Sequence, residues 1–262
     1  MLLSVACGTN VRADSALVWS DEFNQPADSL PDPSKWTHDV GAGGWGNAEL
    51  QRYTDARENC RVVADEAALD GRALAIRAIR TAAGEFTSAR IKTQGKFAVT
   101  YGRIEARLRP PRGRGLWPAF WMLGESIAKA GWPACGEIDV MELLGHDPAR
   151  VHGTLHGPGY SGDKGLTAST IHAAGTALSD GYHVYAVEWS PDRIEWSLDG
   201  VTYASRTADR LPSGGRWVFD APMFLLLNLA VGGNWPGPPD AATSFPQTFL
   251  IDYVRVYSDR PT

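Results

Sequence analysis

Three carboxylates stand close together in a short apolar segment, GEIDVMELLG, at residues 136–145: Glu137, Asp139 and Glu142. Two carboxyl groups held on one surface resist ionising together, so one keeps a proton while the other stays an anion. Hydrolysis of a glycosidic bond needs that division, because an acid protonates the leaving oxygen and a carboxylate attacks the sugar or guides water. The segment is therefore a candidate catalytic centre.

A regular secondary-structure element does not bring the three acids to one face. On a strand, side chains alternate with period two, so Glu137 and Asp139 share a face and Glu142 points to the other. On a helix the three side chains scatter around the axis. One extra residue at Val140–Met141, a β-bulge, would return Glu142 to the face of the other two. The sequence predicts such a bulged strand, lining a cleft.

Two other interpretations of the same segment stay open at this point. The acids could be a solvated row at the edge of a strand. They could also bind calcium, because clustered carboxylates are ligands of hard cations. The tryptophans around the segment favour catalysis on a sugar, because sugar rings have apolar C–H faces that stack on aromatic planes, although any single tryptophan could equally be a core residue.

The elements that must position these residues are predicted to be β-strands. Short alternating or apolar runs recur with turn signals between them, and the pair Asp199-Gly200 is typical of a tight hairpin. The run at 223–233 is almost wholly apolar and indicates a central strand buried on both faces, or a helix. Apart from that run, the only helix candidate lies near 124–130. The other predicted strands are 73–79, 103–109, 183–190, 193–205 (two strands) and 249–258. This pattern favours an all-β antiparallel sandwich in one domain.

Composition excludes several classes of function. The chain has 262 residues and a net charge of −5, and this negative charge disfavours electrostatic binding to nucleic acid or to an anionic membrane. No apolar run approaches the ~20 residues of a membrane-spanning helix. The start, MLLSVACG, resembles the end of a signal peptide, so residues 1–16 are expected to be a leader remnant or N-terminal tail and residues 17–262 the catalytic domain. A cytoplasmic protein with an ordinary start is the alternative.

The chain has three cysteines. Cys7 lies in the leader-like segment, where a lipid anchor is one outcome. Cys60 and Cys135 could form a disulfide in an oxidising compartment, or remain as two buried thiols.

The motif Glu137-Ile138-Asp139-Val140-Met141-Glu142 resembles the active-site signature of glycoside hydrolase family 16, in the longer form whose bulge residue is here Met141. The resemblance runs from about Val18 to Tyr257, and its segments at 19–24, 44–54, 87–123, 153–162 and 235–247 are similar to the laminarinase branch, which cleaves inside β-1,3-glucans. It implies a concanavalin A-like β-jelly-roll sandwich of two antiparallel sheets, a substrate cleft on the concave sheet and a retaining mechanism. Secretion or display at the cell surface is implied by such a substrate.

The resemblance also implies roles for individual residues. Glu137 matches the nucleophile, Glu142 the general acid/base and Asp139 the assisting carboxylate. Further matches are the tryptophan platforms for sugar rings and the polar groups that contact sugar hydroxyls: Trp117, Trp121, Trp132, Asn47, Arg90 and His156. For the last three, a turn former, a strand surface charge and a loop hydrogen bonder are the respective alternatives.

A structural calcium on the outer side of the sandwich is common among similar proteins, and Glu22, Gly71 and Asp252 match its position. A buried salt bridge is the alternative explanation for Asp252. No cofactor is expected for catalysis, and the expected partner is a polysaccharide bound by a monomer. A mixed-linkage glucanase and a transglycosylase are the rival activities. A non-catalytic glucan-binding module is disfavoured because such modules typically lack the paired glutamates.

Overall fold

The computed structural model describes residues 15–258, so Cys7 and most of the predicted N-terminal tail lie outside the described residues. Within them the chain forms seventeen strands, one short helix and five 3-10 turns. The strands are β1 (Ala16–Asp21), β2 (Thr37–Asp39), β3 (Gln51–Tyr53), β4 (Cys60–Ala64), β5 (Arg72–Arg80), β6 (Phe86–Ser88), β7 (Arg90–Lys92), β8 (Gly102–Arg109), β9 (Leu116–Gly124), β10 (Glu137–Glu142), β11 (Arg150–His156), β12 (Ala168–Ile171), β13 (His183–Ser190), β14 (Arg193–Leu198), β15 (Val201–Thr207), β16 (Met223–Val231) and β17 (Gln247–Ser258). The helix is α1 (Ile127–Ala130), and the 3-10 turns are Gly44–Gly46, Gly162–Lys164, Ala173–Gly175, Leu178–Asp180 and Ala208–Arg210.

The strands form two sheets. One sheet has ten strands in the order β15-β14-β13-β8-β17-β5-β6-β3, with β1 on β17 and β4 on β5. The other has seven strands in the order β12-β11-β10-β9-β16-β7-β2. Strand pairs are antiparallel except for β3 with β6. The main apolar cluster takes side chains from both sheets, so the predicted all-β sandwich is confirmed.

β16 is the central strand that the apolar run predicted. All nine of its residues are buried, and it lies between β9 and β7. Leu225, Leu227 and Leu229 belong to the main core. Phe224 and Leu226 point to the other side, where they form a small separate cluster with Leu123. Burial on both faces explains why the run lacks the alternation of a half-exposed strand.

The hairpin predicted at Asp199-Gly200 joins β14 to β15. Asp199 has φ 50 and Gly200 has φ 80, so both central residues are left-handed. Two successive left-handed residues make the two-residue turn whose twist matches paired strands. The pair Asp-Gly is therefore a sufficient local signal for this hairpin.

Both carboxylates of the predicted calcium site face arginines. Arg255 donates to both carboxylate oxygens of Glu22, at 3.0 and 2.7 Å. Arg107 donates to Asp252, so the salt bridge that the sequence left as the alternative is present. The carbonyl of Gly71 accepts from the backbone N–H of Asp65. The two carboxylates are thus paired with arginines and the carbonyl with a backbone N–H, and binding of calcium by these oxygens stays a prediction.

The two core cysteines are far from each other along the chain and lie in different clusters. Cys60 belongs to the main core and Cys135 to the small cluster, and among the described residues both are buried free thiols. Among residues 15–258, no helix is long and apolar enough to cross a membrane.

Candidate active site

The predicted bulge is present in β10. Asp139 lies opposite Trp121 of β9, but Met141 lies opposite Phe120, the very next residue on that strand, so Val140 is extra. The register with β11 shifts in the same interval. Val140 and Met141 are consecutive, yet both pack in the main core. This leaves Glu142 on the same side as Glu137 and Asp139, as the sequence predicted.

A tryptophan from the opposite sheet holds the bulge in place. The indole N–H of Trp196, on β14, crosses the core and donates to the backbone carbonyl of Asp139 at 2.8 Å. Gly153 of β11 leaves room for this ring, since a Cβ at Gly153 would lie 2.3 Å from it. A bulge interrupts the ladder of strand hydrogen bonds, so a donor from the core stabilises the carbonyl at that point. Trp196 is therefore a positioning residue for Asp139.

We expect Trp196→Phe to lower kcat about tenfold with little change in KM, because an unsatisfied buried carbonyl loosens the bulge by about 1–3 kcal/mol. Trp189→Phe is a matched control: Trp189 is also buried, and its indole donates to the carbonyl of Phe219 at 3.0 Å. Both variants should lose a similar amount of thermal stability. Equal effects of the two variants on kcat would contradict the positioning role.

Each carboxylate of β10 has an aromatic or hydroxyl partner. Trp132 donates to Glu137 at 2.9 Å, and Nε2 of His156 lies 3.6 Å from Glu137 and 3.3 Å from Asp139. At the other end of the strand, Trp117 donates to Glu142 at 3.0 Å. Thr154 also donates to Glu142, at 3.3 Å. The structure thus brings Trp117, Trp132 and His156 to the three acids.

Burial raises the pKa of all three carboxyl groups to about 8. For Glu137, the charge of Asp139 adds to the rise and the neighbouring His156 opposes it. For Glu142, Asp139 again adds, while His156 and the bonds from Trp117 and Thr154 oppose. The cluster consequently holds protons near neutral pH, so a carboxyl group that can act as an acid is present there.

Asp139→Asn should raise Tm above that of the wild type, by an amount that grows from about pH 4 to about pH 8. Asp139 has its pKa raised from 3.8 to about 8 in the folded protein. Between those values the folded state keeps a proton that the unfolded state releases, so the stability of the wild type falls as pH rises. The amide of asparagine does not titrate in this range, so the variant lacks this loss of stability. Thermal melts across this range measure the effect, and a variant that becomes relatively less stable with rising pH would refute it. Activity should fall less than on replacement of either glutamate.

A second group of predicted residues lies beside the acids on the same sheet. Trp121 donates its indole N–H to Asn228 of β16 at 2.7 Å. The guanidinium of Arg90 lies over two rings, 4.7 Å from the centroid of Trp121 and 5.0 Å from that of Trp45. Arg90 also pairs with Asp39 at 3.0 Å, so its head group is fixed between an acid and aromatic faces. Arg90 thus packs among the aromatic side chains beside the acids, and its predicted contact with sugar stays a prediction.

Asn47 lies in the loop that carries Trp45. Its carbonyl accepts from the backbone N–H of Asn234, at 2.7 Å, which ties this loop to the Gly/Pro-rich loop after β16. Burial raises the pKa of Glu49, and the neighbouring side chain of Asn47 is one of the groups that oppose this rise. Asn47 therefore connects two loops at one end of the cleft, and its predicted contact with sugar stays a prediction.

We expect Trp121→Ala to weaken binding of glucan oligomers about fivefold or more, since loss of a stacking platform removes about 1 kcal/mol. The ring is half-buried and its N–H is already anchored on Asn228. The exposed face is then the part that a sugar would use. Titration calorimetry with laminari-oligosaccharides and a thermal melt distinguish the two roles. A large fall in Tm with unchanged affinity would make Trp121 a core residue.

Sequence reasoning missed three groups in the cleft. Asn228 is the single polar residue in the apolar strand β16, a signal that could have identified it. Thr154 and His152 share the parity of His156 on β11, so the alternation of that strand also indicated them. His152 packs edge-on against Trp235, at 4.8 Å between ring centroids, and Trp235 in turn meets Trp117 at 5.7 Å. The aromatic lining therefore continues past Glu142.

Known proteins of similar sequence share this fold over most of the chain. The laminarinase catalytic domain of Thermotoga maritima superposes with a TM-score of 0.85 at 46% identity, over 94% of this chain and 99% of that one. The endo-β-1,3-glucanase of Pyrococcus furiosus superposes with a TM-score of 0.84 at 44% identity, over 93% and 94%. A β-glucanase of Rhodothermus marinus is 44% identical, over 98% of this chain and 92% of its own. These similarities confirm the jelly-roll architecture.

The family model for glycosyl hydrolases family 16 matches residues 51–255. That range contains the bulged strand, its two neighbours in the sheet and the aromatic residues around the three acids. The chain belongs to glycosyl hydrolase family 16.

Proposed function

We propose that the protein is a retaining endo-β-1,3-glucanase that cleaves internal bonds of laminarin-type glucans. The observation that carries the proposal is the bulged strand β10, which presents Glu137, Asp139 and Glu142 together in an aromatic-lined cleft. The similarity to a laminarinase and an endo-β-1,3-glucanase over almost the whole chain supports the choice of linkage.

In the first step, the carboxyl group of Glu142 donates its proton to the glycosidic oxygen while the carboxylate of Glu137 attacks the anomeric carbon. The C–O bond to the leaving chain breaks, that chain departs with a new hydroxyl group, and an ester joins Glu137 to the remaining sugar. In the second step, Glu142 takes a proton from water. The oxygen of that water attacks the anomeric carbon and releases Glu137, so two inversions give net retention.

The two glutamates have different partners in the structure. Trp132 and His156 lie at Glu137, where they orient the carboxylate and favour its anionic form. Glu142 instead accepts from the indole of Trp117 and the hydroxyl of Thr154, while burial and the charge of Asp139 favour the protonated form of both glutamates. Like charges also couple the pair, since Glu142 raises the pKa of Glu137. Because such coupling is mutual, formation of the ester on Glu137 removes a negative charge and lowers the pKa of Glu142, so Glu142 is ionised and ready to accept a proton in the second step.

Asp139 lies between the two glutamates on the same face of the strand. Its carboxylate lies 3.3 Å from His156, which also approaches Glu137. This arrangement supports a role in orienting the nucleophile and tuning its charge, the task of a third group next to a nucleophile.

Product analysis on laminarin, lichenan and carboxymethyl cellulose tests the proposed activity. We expect short β-1,3-linked oligomers from laminarin and little release from carboxymethyl cellulose, with Glu137→Gln as the background control. Predominant cleavage of lichenan would instead indicate a mixed-linkage glucanase. Products longer than the starting oligosaccharide, with little free reducing sugar, would indicate transfer to a sugar acceptor. A polymeric substrate of this kind also supports the proposal that the protein acts outside the cytoplasm.

A further inference from the structure

Two histidines and an aspartate meet in a cluster that shares no residue with the cleft. His172 follows β12, His183 begins β13, and Asp199 is in the turn between β14 and β15. One side-chain nitrogen or oxygen from each lies within 4.8 Å of the others, and all three residues are half-buried. Three separate segments of the chain thus converge on one point.

Two of the three side chains in the cluster, those of His172 and Asp199, have a contact outside it. Nδ1 of His183 lies 2.7 Å from one carboxylate oxygen of Asp199, and the other oxygen accepts the backbone N–H of Val184 at 2.8 Å. Nδ1 of His172 lies 2.7 Å from the hydroxyl of Thr176, which leaves Nε2 of that ring available. The two imidazole rings are 4.5 Å apart at an interplanar angle of 66°. Such outer contacts are what orient metal-binding histidines in known sites.

We propose that this cluster binds a divalent transition-metal ion, with Zn²⁺ as the best match. Two imidazoles and one carboxylate form a ligand set that zinc takes at about 2.0–2.2 Å, usually with water in the remaining position. The imidazoles disfavour calcium and magnesium, which prefer oxygen ligands. Binding releases the proton shared by His183 and Asp199, whose ligand atoms move apart from 2.7 Å to take the ion, and His172 supplies the third ligand. It then joins the segment after β12 to the hairpin β14–β15.

A second group of possible ligands must be separated from this one by experiment. Glu137, Asp139 and His156 also lie close enough together to hold an ion, and they belong to the cleft. A test based on enzyme activity alone would confuse the two places, because an ion in the cleft would inhibit. Binding and thermal stability are therefore the readouts.

The experiment uses the full-length protein, treated with EDTA and dialysed, then titrated with Zn²⁺ near neutral pH by calorimetry and melted in its presence. We expect one saturable equivalent and a rise in Tm of roughly 5 °C at a 100-fold excess over Kd. His172→Ala and Asp199→Asn should each weaken binding at least about tenfold. Asparagine suits the second position because it tolerates the left-handed backbone and can still accept the Val184 N–H.

Two control variants decide where the ion is bound. His146→Ala removes an exposed histidine elsewhere, and His156→Ala removes the histidine of the cleft; both should keep the saturable equivalent. The proposal is overturned if no saturable binding occurs. It is also overturned if His172→Ala binds as tightly as the wild type, or if His156→Ala is the variant that loses the ion.

Discussion

Replacing Glu137 with glutamine is expected to lower kcat about 10⁴-fold or more, the scale seen when the nucleophile of a covalent mechanism is removed. The amide cannot form the glycosyl ester. The fold should survive, because the change is nearly isosteric and the amide oxygen can still accept the indole N–H of Trp132, now 2.9 Å from the carboxylate. Initial rates on laminarin measure the loss, and circular dichroism with a thermal melt measures the fold.

Glu66→Gln is the matched control for this substitution, because Glu66 is exposed and lies far along the chain from the acidic motif. It should retain full activity. A Glu137→Gln enzyme that remains active within tenfold of the wild type would refute the assignment of Glu137 as the nucleophile.

Glu142→Ala is expected to lose about 10²–10⁴-fold of its activity on laminarin, the range of a general acid–base contribution. On an aryl glycoside with a good leaving group, the rate of ester formation should fall less. Such a leaving group departs without receiving a proton. Release of the sugar from Glu137 then becomes slow, because no base activates water. Azide, which needs no base, should restore turnover and give a β-glycosyl azide.

The stereochemistry of the azide product distinguishes the two glutamates. In Glu137→Ala, azide can occupy the place of the nucleophile itself, so one displacement gives the α-glycosyl azide. An α product from Glu142→Ala, or a β product from Glu137→Ala, would reverse the proposed roles. Absence of rescue in both variants, with both folded, would contradict a covalent intermediate.

The sequence predicted the parts of the site that depend on local spacing. Period-two alternation placed Glu137 and Asp139 on one face, and one extra residue at Val140–Met141 was enough to place Glu142 there as well. The hairpin at Asp199-Gly200 and the doubly buried β16 followed from equally local patterns. In each case the information lies within a few residues of the feature that it determines.

Contacts between distant strands could not be predicted in the same way. Trp196 reaches the carbonyl of Asp139 from the opposite sheet, and 57 residues separate the two. An indole in an alternating strand indicates burial, but not which carbonyl it meets. Asn228 could be recognised in the sequence as a single polar residue among apolar ones. Its contact with Trp121 could not, because that contact depends on the register of β16 with β9.

The predicted calcium site illustrates the same limit. The resemblance to the family implied that Glu22 and Asp252 would lie together near the two ends of the chain, and β1 pairs with β17 there. It did not reveal which positive group would face each carboxylate. Arg107 precedes its partner Asp252 by 145 residues, so their contact depends on the order of strands in the sheet.

The most direct test of the account is to label the enzyme with a 2-deoxy-2-fluoro β-laminaribioside that has an activated leaving group. The fluorine slows both the formation and the hydrolysis of the glycosyl ester. The activated leaving group speeds formation again, so the ester accumulates. Digestion and mass spectrometry should find one sugar per protein, on the peptide that contains Glu137, with the label lost in the presence of excess acceptor sugar. A label on Asp139 or Glu142, or hydrolysis of the probe to an α-product with no labelled protein, would contradict the proposed mechanism.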